Sequence, residues 1–420
     1  MAATCTPSRS RSTLGRAILV ALSVTCTSLG WAGPVPDDFE VRKAIDTACE
    51  LLLANQERYE PDRPVGTLPE NQLMKWQEGE RARLEKVRKA ATGREWPYEG
   101  VYRVRPDGRI PPGYRVGGSA IVCEALLFAP GFDDKRRGAI ERATEFILEM
   151  IHEDPGMQPR KQTNYDVRGW GQAYALKFFL HALDARCFDA DLAERVRASI
   201  PHLIEGIRMG EVNGGGWNYA GRGVSPFMTA STLLALFHAR DAGYAVDTEM
   251  VERALDALEQ GRGEGAAYAY SGRLRRGEEP MQGASARSAV AELVLHRAGR
   301  STVERLRDAV DGFFNEENWK ELLKRKSQQG THVAPYGVAP YYFFFGHTYA
   351  AYAAEHLPAG ERARYRTSMR DLLWRTIEKH GGWNDRVFPR TESYSTAMAL
   401  LSLIAPQLPQ AHQWSKRETL

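Results

Sequence analysis

The residues able to do chemistry are few, and they gather just before apolar segments. His347 follows the run Tyr341 to Phe345, and His332 and Tyr336 sit one loop earlier in THVAPYG. Asp385 and Arg386 lie in GGWNDRVF, and Glu392 and Tyr394 open ESYSTA. Asp166 and Arg168 share NYDVRGWGQ, and Arg287 lies in GASARSAVAEL. An imidazole beside a phenol, with an arginine to neutralise a carboxylate, is the set that abstracts a proton α to an acid group. His347, Tyr336, Glu392 and Asp385 are therefore the candidate catalytic residues. Arg168, Trp170, Trp217, Tyr219, Arg287, Tyr342, Tyr394 and Trp383 are the candidate ligand contacts. Each has a plainer reading. A lone histidine at a helix start serves as a cap or a core hydrogen-bonding group. Arg168 and Arg287 have Asp166 and Glu264 to pair with, and the helix dipole alone favours Glu392. Trp217 and Trp383 follow glycine pairs and are placed to staple one helical hairpin to the next.

The elements that must position these groups repeat. NGGGWNYAGRGVSPFMTASTLLAL, Asn213 to Leu236, has a counterpart in HGGWNDRVFPRTESYSTAMALLSL, His380 to Leu403. Each is a Gly-rich turn with an aromatic, a short loop and an apolar segment rich in small residues, which is the signature of a repeat architecture. Apolar segments alternate with amphipathic ones from Val116 onward: Val116 to Phe128, Lys135 to His152, Gly169 to Leu183, Asp191 to Met209, Thr229 to Ala239, Asp247 to Gln260, Ala286 to Ala298, Thr302 to Lys326, Tyr342 to His356, Gly360 to Lys379 and Tyr394 to Ile404. A helix apolar around most of its circumference is buried on all sides, and one with a single apolar stripe covers it from outside. Asp38 to Glu57 is a further amphipathic helix with an Asp cap. The pattern predicts an all-α fold, an (α/α)6 toroid of six helical hairpins in which the N-terminal helix closes the ring as the last outer helix. Aligning the inner helices puts Ser119, Gln172, Thr229, Arg287, His347 and Ser395 in one register, about 50–60 residues apart. The inner helices then run parallel. Their N-termini share one mouth, with unpaired backbone N–H groups and aromatic-rich loops, suited to a ligand with apolar faces and some anionic or hydroxyl character.

The remainder divides simply. Residues 1–32 combine Arg9, Arg11 and Arg16 with the apolar run Ala17 to Leu29 and the small-residue site Gly30-Trp31-Ala32, which reads as a signal peptide. The expected location is secreted or periplasmic, with no transmembrane segment after cleavage. Residues 33–59 form the N-terminal outer helix, residues 115–407 the remaining repeats, and 408–420 a disordered tail. Residues 60–114 interrupt the rhythm with prolines, a charged helix and an alternating stretch Val101 to Val104, and read as an insertion or lid containing a short hairpin. Cys49, Cys123 and Cys187 remain after cleavage and make neither a disulfide framework nor a CxxC site, so they read as buried small hydrophobes. The net charge of +3, from 56 basic and 53 acidic residues, is too balanced for a nucleic-acid partner.

On these motifs the chain resembles the superfamily of squalene and oxidosqualene cyclases and protein prenyltransferase β-subunits. GGGWNYAG and GGWNDRVF are similar to the Gly-Gly-aromatic turns of those repeats, and YYFFFGHTYAAYA is similar to the prenyltransferase stretch whose His, here His347, binds zinc. The chain departs from both catalytic patterns. GASARSAVAEL lacks the Asp and Cys of the zinc site, so no metal and no other cofactor is expected. SPFMTA stands where cyclases carry an Asp-rich acid motif, and ESYSTA offers one carboxylate. Whether the chain is an enzyme stays open at this point. The resemblance implies an exported toroid with an aromatic-lined central cavity that binds or transforms an apolar isoprenoid-type ligand. A polysaccharide lyase or glycoside hydrolase on the same toroid, with a saccharide ligand, is one alternative. A non-catalytic envelope binding or scaffold protein is the other.

Overall fold

The computed structural model describes residues 34–59, 93–99, 109–162, 165–219, 223–272, 280–326, 334–385 and 388–415, with 79, 82, 85, 86 and 332. The segment expected to be a signal peptide, the hairpin expected at Val101 to Val104 and most of the insertion lie outside the described residues. Thirteen α-helices and no strand occur among the described residues, with two isolated bridges, Glu57 with Glu95 and Arg262 with Tyr268.

Six helices form the inner layer: α2 (Pro112–Phe128), α4 (Arg168–Asp184), α6 (Pro226–Asp241), α8 (Met281–Arg297), α11 (Tyr342–Ala354) and α13 (Glu392–Leu403). Each packs on the next, and α13 packs back on α2, so the ring is closed. Nearly every residue of these helices is buried, as their all-round apolar character requires. The outer layer is α1 (Asp38–Ala54), α3 (Asp134–Glu153), α5 (Ala190–Met209), α7 (Thr248–Gln260), the pair α9 (Val303–Phe314) and α10 (Glu316–Leu323), and α12 (Ala359–Trp374). α1 packs on α13, the closing role expected of it. Most outer helices begin with side-chain caps: Asp37, Asp133, Asp189, Asp247 and Thr302 each accept a first-turn N–H, which satisfies donors that a helix start leaves unpaired, while α12 starts at Pro358 without one. The inner helices show no such side-chain caps and begin at Pro112, Pro226 and other loop-held residues.

Three boundaries differ from expectation. Thr302 to Lys326 is two helices, because Asn315 ends α9 and its side chain caps α10 through the N–H groups of Glu317 and Asn318. Residues 93–99 and 109–114 are not lid material. The first hold a bridge to Glu57 and the second run into α2 at Pro112. Residues 408–415, expected to be a disordered tail, are packed on the ring, with Trp414 only 4% exposed.

Candidate functional site

The register positions turn out to be fasteners. Thr229 Oγ1 accepts the Trp217 backbone N–H at 3.0 Å, and the Trp217 indole N–H donates to the Ile207 carbonyl near the end of α5 at 2.7 Å. Trp383 repeats this: its N–H donates to Thr396 Oγ1 and its indole to the Leu373 carbonyl of α12, each at 3.0 Å. Trp96 repeats it again, with Ser119 Oγ at 2.9 Å and the Leu52 carbonyl of α1 at 2.7 Å. One turn thus locks an outer helix to the inner helix that follows, three times round the ring. The glycines before Trp217 are required: Gly214, Gly215 and Gly216 all have φ between 73° and 98°, and a Cβ on Gly215 would meet the Arg253 carbonyl at 2.4 Å. The repeat also corrects the alignment. Thr396, not Ser395, is the counterpart of Thr229, and Ser395 Oγ accepts the Asp385 N–H at 2.9 Å.

The other register residues do the same work. Gln172 donates to the Met157 carbonyl at 3.0 Å. Arg287 is fully buried and donates to the carbonyls of Tyr268, Ala269 and Gly283 at 2.6–3.1 Å. His347 Nε2 accepts the Trp319 indole N–H at 2.9 Å, so Nδ1 carries the proton that bonds the Phe343 carbonyl at 2.7 Å. The ring is therefore neutral, and burial lowers its pKa to about 4. His347 faces the outer helix α10 rather than the central axis, and the structure does not bring it together with Tyr336 or Asp385. The physical reason is the break at Asn315, which turns α10 so that Trp319 covers the imidazole. Arg168 donates to the Gln158 and Arg160 carbonyls at 3.1 and 2.8 Å and lies 3.2 Å from Asp166, so it clamps a loop. Glu392 faces outward to Asn55 at 3.2 Å and His380 at 2.6 Å. Tyr336 is half-buried at the edge of the core. Of the expected catalytic set, Asp385 alone lies in the mouth.

That mouth is aromatic. Tyr98, Tyr114, Trp170 and Tyr394 pack with ring centroids 4.4–6.4 Å apart. On the far side Phe227 meets Tyr341, Tyr342 and Phe345 at 5.0–5.4 Å. Phenol hydroxyls pair around the rim: Tyr114 with Tyr165 at 2.6 Å, Tyr219 with Tyr270 at 3.4 Å, and Tyr270 with His332 at 3.1 Å. Asp385 is fully buried. Burial first, and the Asp385 charge second, push the Tyr394 hydroxyl well above the ordinary phenol range. Trp170, Tyr219, Tyr342 and Tyr394 thus lie at the mouth, while Trp217, Trp383, Arg168 and Arg287 belong to its scaffold. Tyr98 was missed. Its signal was available, since it follows Trp96 by two residues as Tyr219 follows Trp217 and Asp385 follows Trp383.

The axis is filled below the mouth. Tyr174 of α4 and Tyr349 of α11, which face each other across the ring, bring their hydroxyls to 3.3 Å. Beneath them Lys177 Nζ lies 2.9 Å from Glu124 and 5.8–5.9 Å from the Tyr349 and Tyr352 rings. Burial pushes the Glu124 carboxyl up, but Lys177 and His181 outweigh it and hold the group at about 2. A groove of ≈ 690 Å³ outside the ring, beside Gly214 and Gly215, is polar, and its Arg208 and Arg253 are paired with Glu205 and Glu211. No group of three or more metal-ligating side chains occurs among the described residues.

The molecule is an all-helical α/α toroid with an aromatic mouth. Among solved structures it is similar to the type II terpene cyclase MstE from Scytonema, at 14% identity and a TM-score of 0.45, over 89% of this chain and 100% of that one. It is also similar to the α-1,6-mannanase GH76A from Salegentibacter sp. HEL1_6, at 13% identity and a TM-score of 0.49, over 86% and 98% of the two chains. Hormoconis resinae glucoamylase is similar at 13% identity and a TM-score of 0.48, over 88% of this chain and 75% of that one. No family model and no curated protein matches the chain.

Proposed function

We propose that this protein binds an apolar, isoprenoid-type ligand in the aromatic mouth of its ring and transforms it with the Asp385 carboxyl as acid. The observation that carries this reading is the burial of Asp385 beside a cluster of Tyr98, Tyr114, Trp170 and Tyr394. Aromatic faces hold apolar surface and stabilise positive charge developing next to them. A carboxylic acid among them would give its proton to an alkene carbon, and the carboxylate left behind would take a proton back from the resulting cation. The leader at 1–32 supports export, so the reaction would take place outside the cytoplasm.

The rim of phenol hydroxyls favours a second reading, a saccharide stacked on the tyrosines and hydrogen-bonded to their hydroxyls. One experiment separates the two. Residues 33–420 are purified from periplasmic expression, extracted, and the extract analysed by mass spectrometry, alongside Trp170→Ala and Asp385→Asn. A retained lipid that disappears in Trp170→Ala and accumulates as an earlier, unprotonated form in Asp385→Asn is the expected result. Retained oligosaccharide, with no lipid in any preparation, would sink the isoprenoid reading. A lipid identical in wild type and Asp385→Asn would leave a binding protein without the chemistry.

A further inference from the structure

At the opposite end of the ring, where the inner helices finish, the segment after α13 crosses the C-terminal mouth. Tyr352 donates its hydroxyl to the Pro409 carbonyl at 2.7 Å. The Ala411 N–H donates to His356 Nε2 at 3.0 Å. The Trp414 N–H donates to the Arg297 carbonyl at 2.9 Å, and its indole N–H to Glu252 at 2.8 Å. Trp414 stacks on Phe237 at 5.3 Å and lies under the Arg240 guanidinium at 3.8 Å. His412 stacks on His238 at 4.2 Å with the rings 12° apart. The segment thereby joins the ends of α6, α8 and α11.

We propose that residues 408–415 form a strap, latched by histidines, that closes the C-terminal mouth at neutral pH and leaves it on acidification. The latch follows from donor and acceptor roles. His356 Nδ1 faces the Tyr352 carbonyl at 2.9 Å and must carry a proton there, so Nε2 is the lone pair that receives the Ala411 N–H. A protonated His356 would point an N–H at an N–H. Around it stand Arg297 and His296 of α8 and Arg362 of α12, all of which oppose a further positive charge. His238 is enclosed by His181 and Asp184 of α4, His412 of the strap, and Arg240 and Asp241 of its own helix. Asp184, at 2.7 Å, and Asp241, 2.8 Å from His412, favour charge on these rings. For His238 burial and the two neighbouring imidazoles outweigh Asp184 and lower the pKa to about 4. For His356 burial lowers it to about 4 as well.

The sign is that of depressed bases. With the strap away, His356 and His238 keep their neighbours on the ring and lose part of their burial, so they take up protons between the docked value of about 4 and the ordinary imidazole value of about 6.5. Docking is complete above about 6.5 and weakens as the pH falls toward 4, by less than about thirtyfold per ring at pH 5.

Hydrogen–deuterium exchange of the whole mature chain, read at the Ala411 and Trp414 amides and corrected for intrinsic rates, tests this. Protection of those amides should fall at least tenfold between pH 7.5 and pH 5, while α4 and α11 stay protected. His356→Gln keeps an acceptor for Ala411 without titrating, and should lose much of the pH dependence. His412→Phe keeps a ring on His238, takes a neighbouring imidazole away from it, and serves if His356→Gln does not fold. Equal protection at both pH values would overturn the proposal, as would loss in step with α4 and α11. A pH dependence unchanged in both variants would overturn it too.

Discussion

His347 offers the sharpest test of how the ring is held. Its two nitrogens are committed to Trp319 and Phe343, and its pKa is lowered to about 4 by burial. The unfolded chain binds a proton near 6.5, so between pH 6.5 and 4 the unfolded state carries more protons than the folded one. The contribution is full above about 6.5 and is lost as the pH falls toward 4. At pH 5 the difference is about 1.5 units, or about 2 kcal/mol at 1.36 kcal/mol per unit. His347→Gln keeps an acceptor for Trp319 but does not titrate. It should cost about 1–3 kcal/mol at pH 7.5, from imperfect hydrogen bonds and packing. Urea unfolding of both proteins at pH 7.5 and pH 5 measures the gap. The gap should shrink by about 2 kcal/mol at pH 5, because only the wild type suffers protonation there. Other titrating histidines act on both proteins and cancel. A gap independent of pH would refute the neutral, enclosed imidazole. A loss of ligand in the variant at full stability would instead return His347 to the functional site.

Other outcomes follow from the same geometry. Trp217→Phe and Trp383→Phe should each destabilise by about 1–3 kcal/mol in urea melts, since each leaves a buried carbonyl, Ile207 or Leu373, without its indole donor. Lys177→Met should cost about 3–5 kcal/mol by leaving the buried Glu124 charge with only the His181 imidazole beside it, and adding Glu124→Gln should restore much of it, read from thermal melts of the two variants. Asp385→Asn should keep ligand binding and lose conversion by at least a hundredfold, followed by product formation from the retained lipid once it is identified.

The architecture was legible in the chain alone, because helix burial is written in periodicity. A segment such as Tyr342 to Ala354, apolar on every side, has no solvent-facing stripe and must be enclosed, while Thr248 to Gln260 carries a single stripe and must be a cover. Counting those alternations led to a ring, and the glycine-tryptophan turns marked its seams. Part of the site was legible too. Asp385, Trp170, Tyr219 and Tyr394 were placed at the mouth because they precede or open inner helices. The direction of a polar side chain was not legible. His347, Arg287 and Thr229 share a helical register, but a register fixes the phase of a residue and not whether that phase faces the axis or the outer layer. That depended on partners distant in sequence: Trp319 lies 28 residues before His347 and the Tyr268 carbonyl 19 before Arg287. The packed segment 408–415 was equally hidden: Leu408, Ala411 and Trp414 are buried, but only the assembled helix ends provide the acceptors that hold it. Local sequence thus determined which helices are buried, through the free energy of hiding apolar surface. Tertiary structure decided which polar groups fasten the ring and which remain at its mouth, because a buried donor or acceptor must take whatever partner the packing brings within reach.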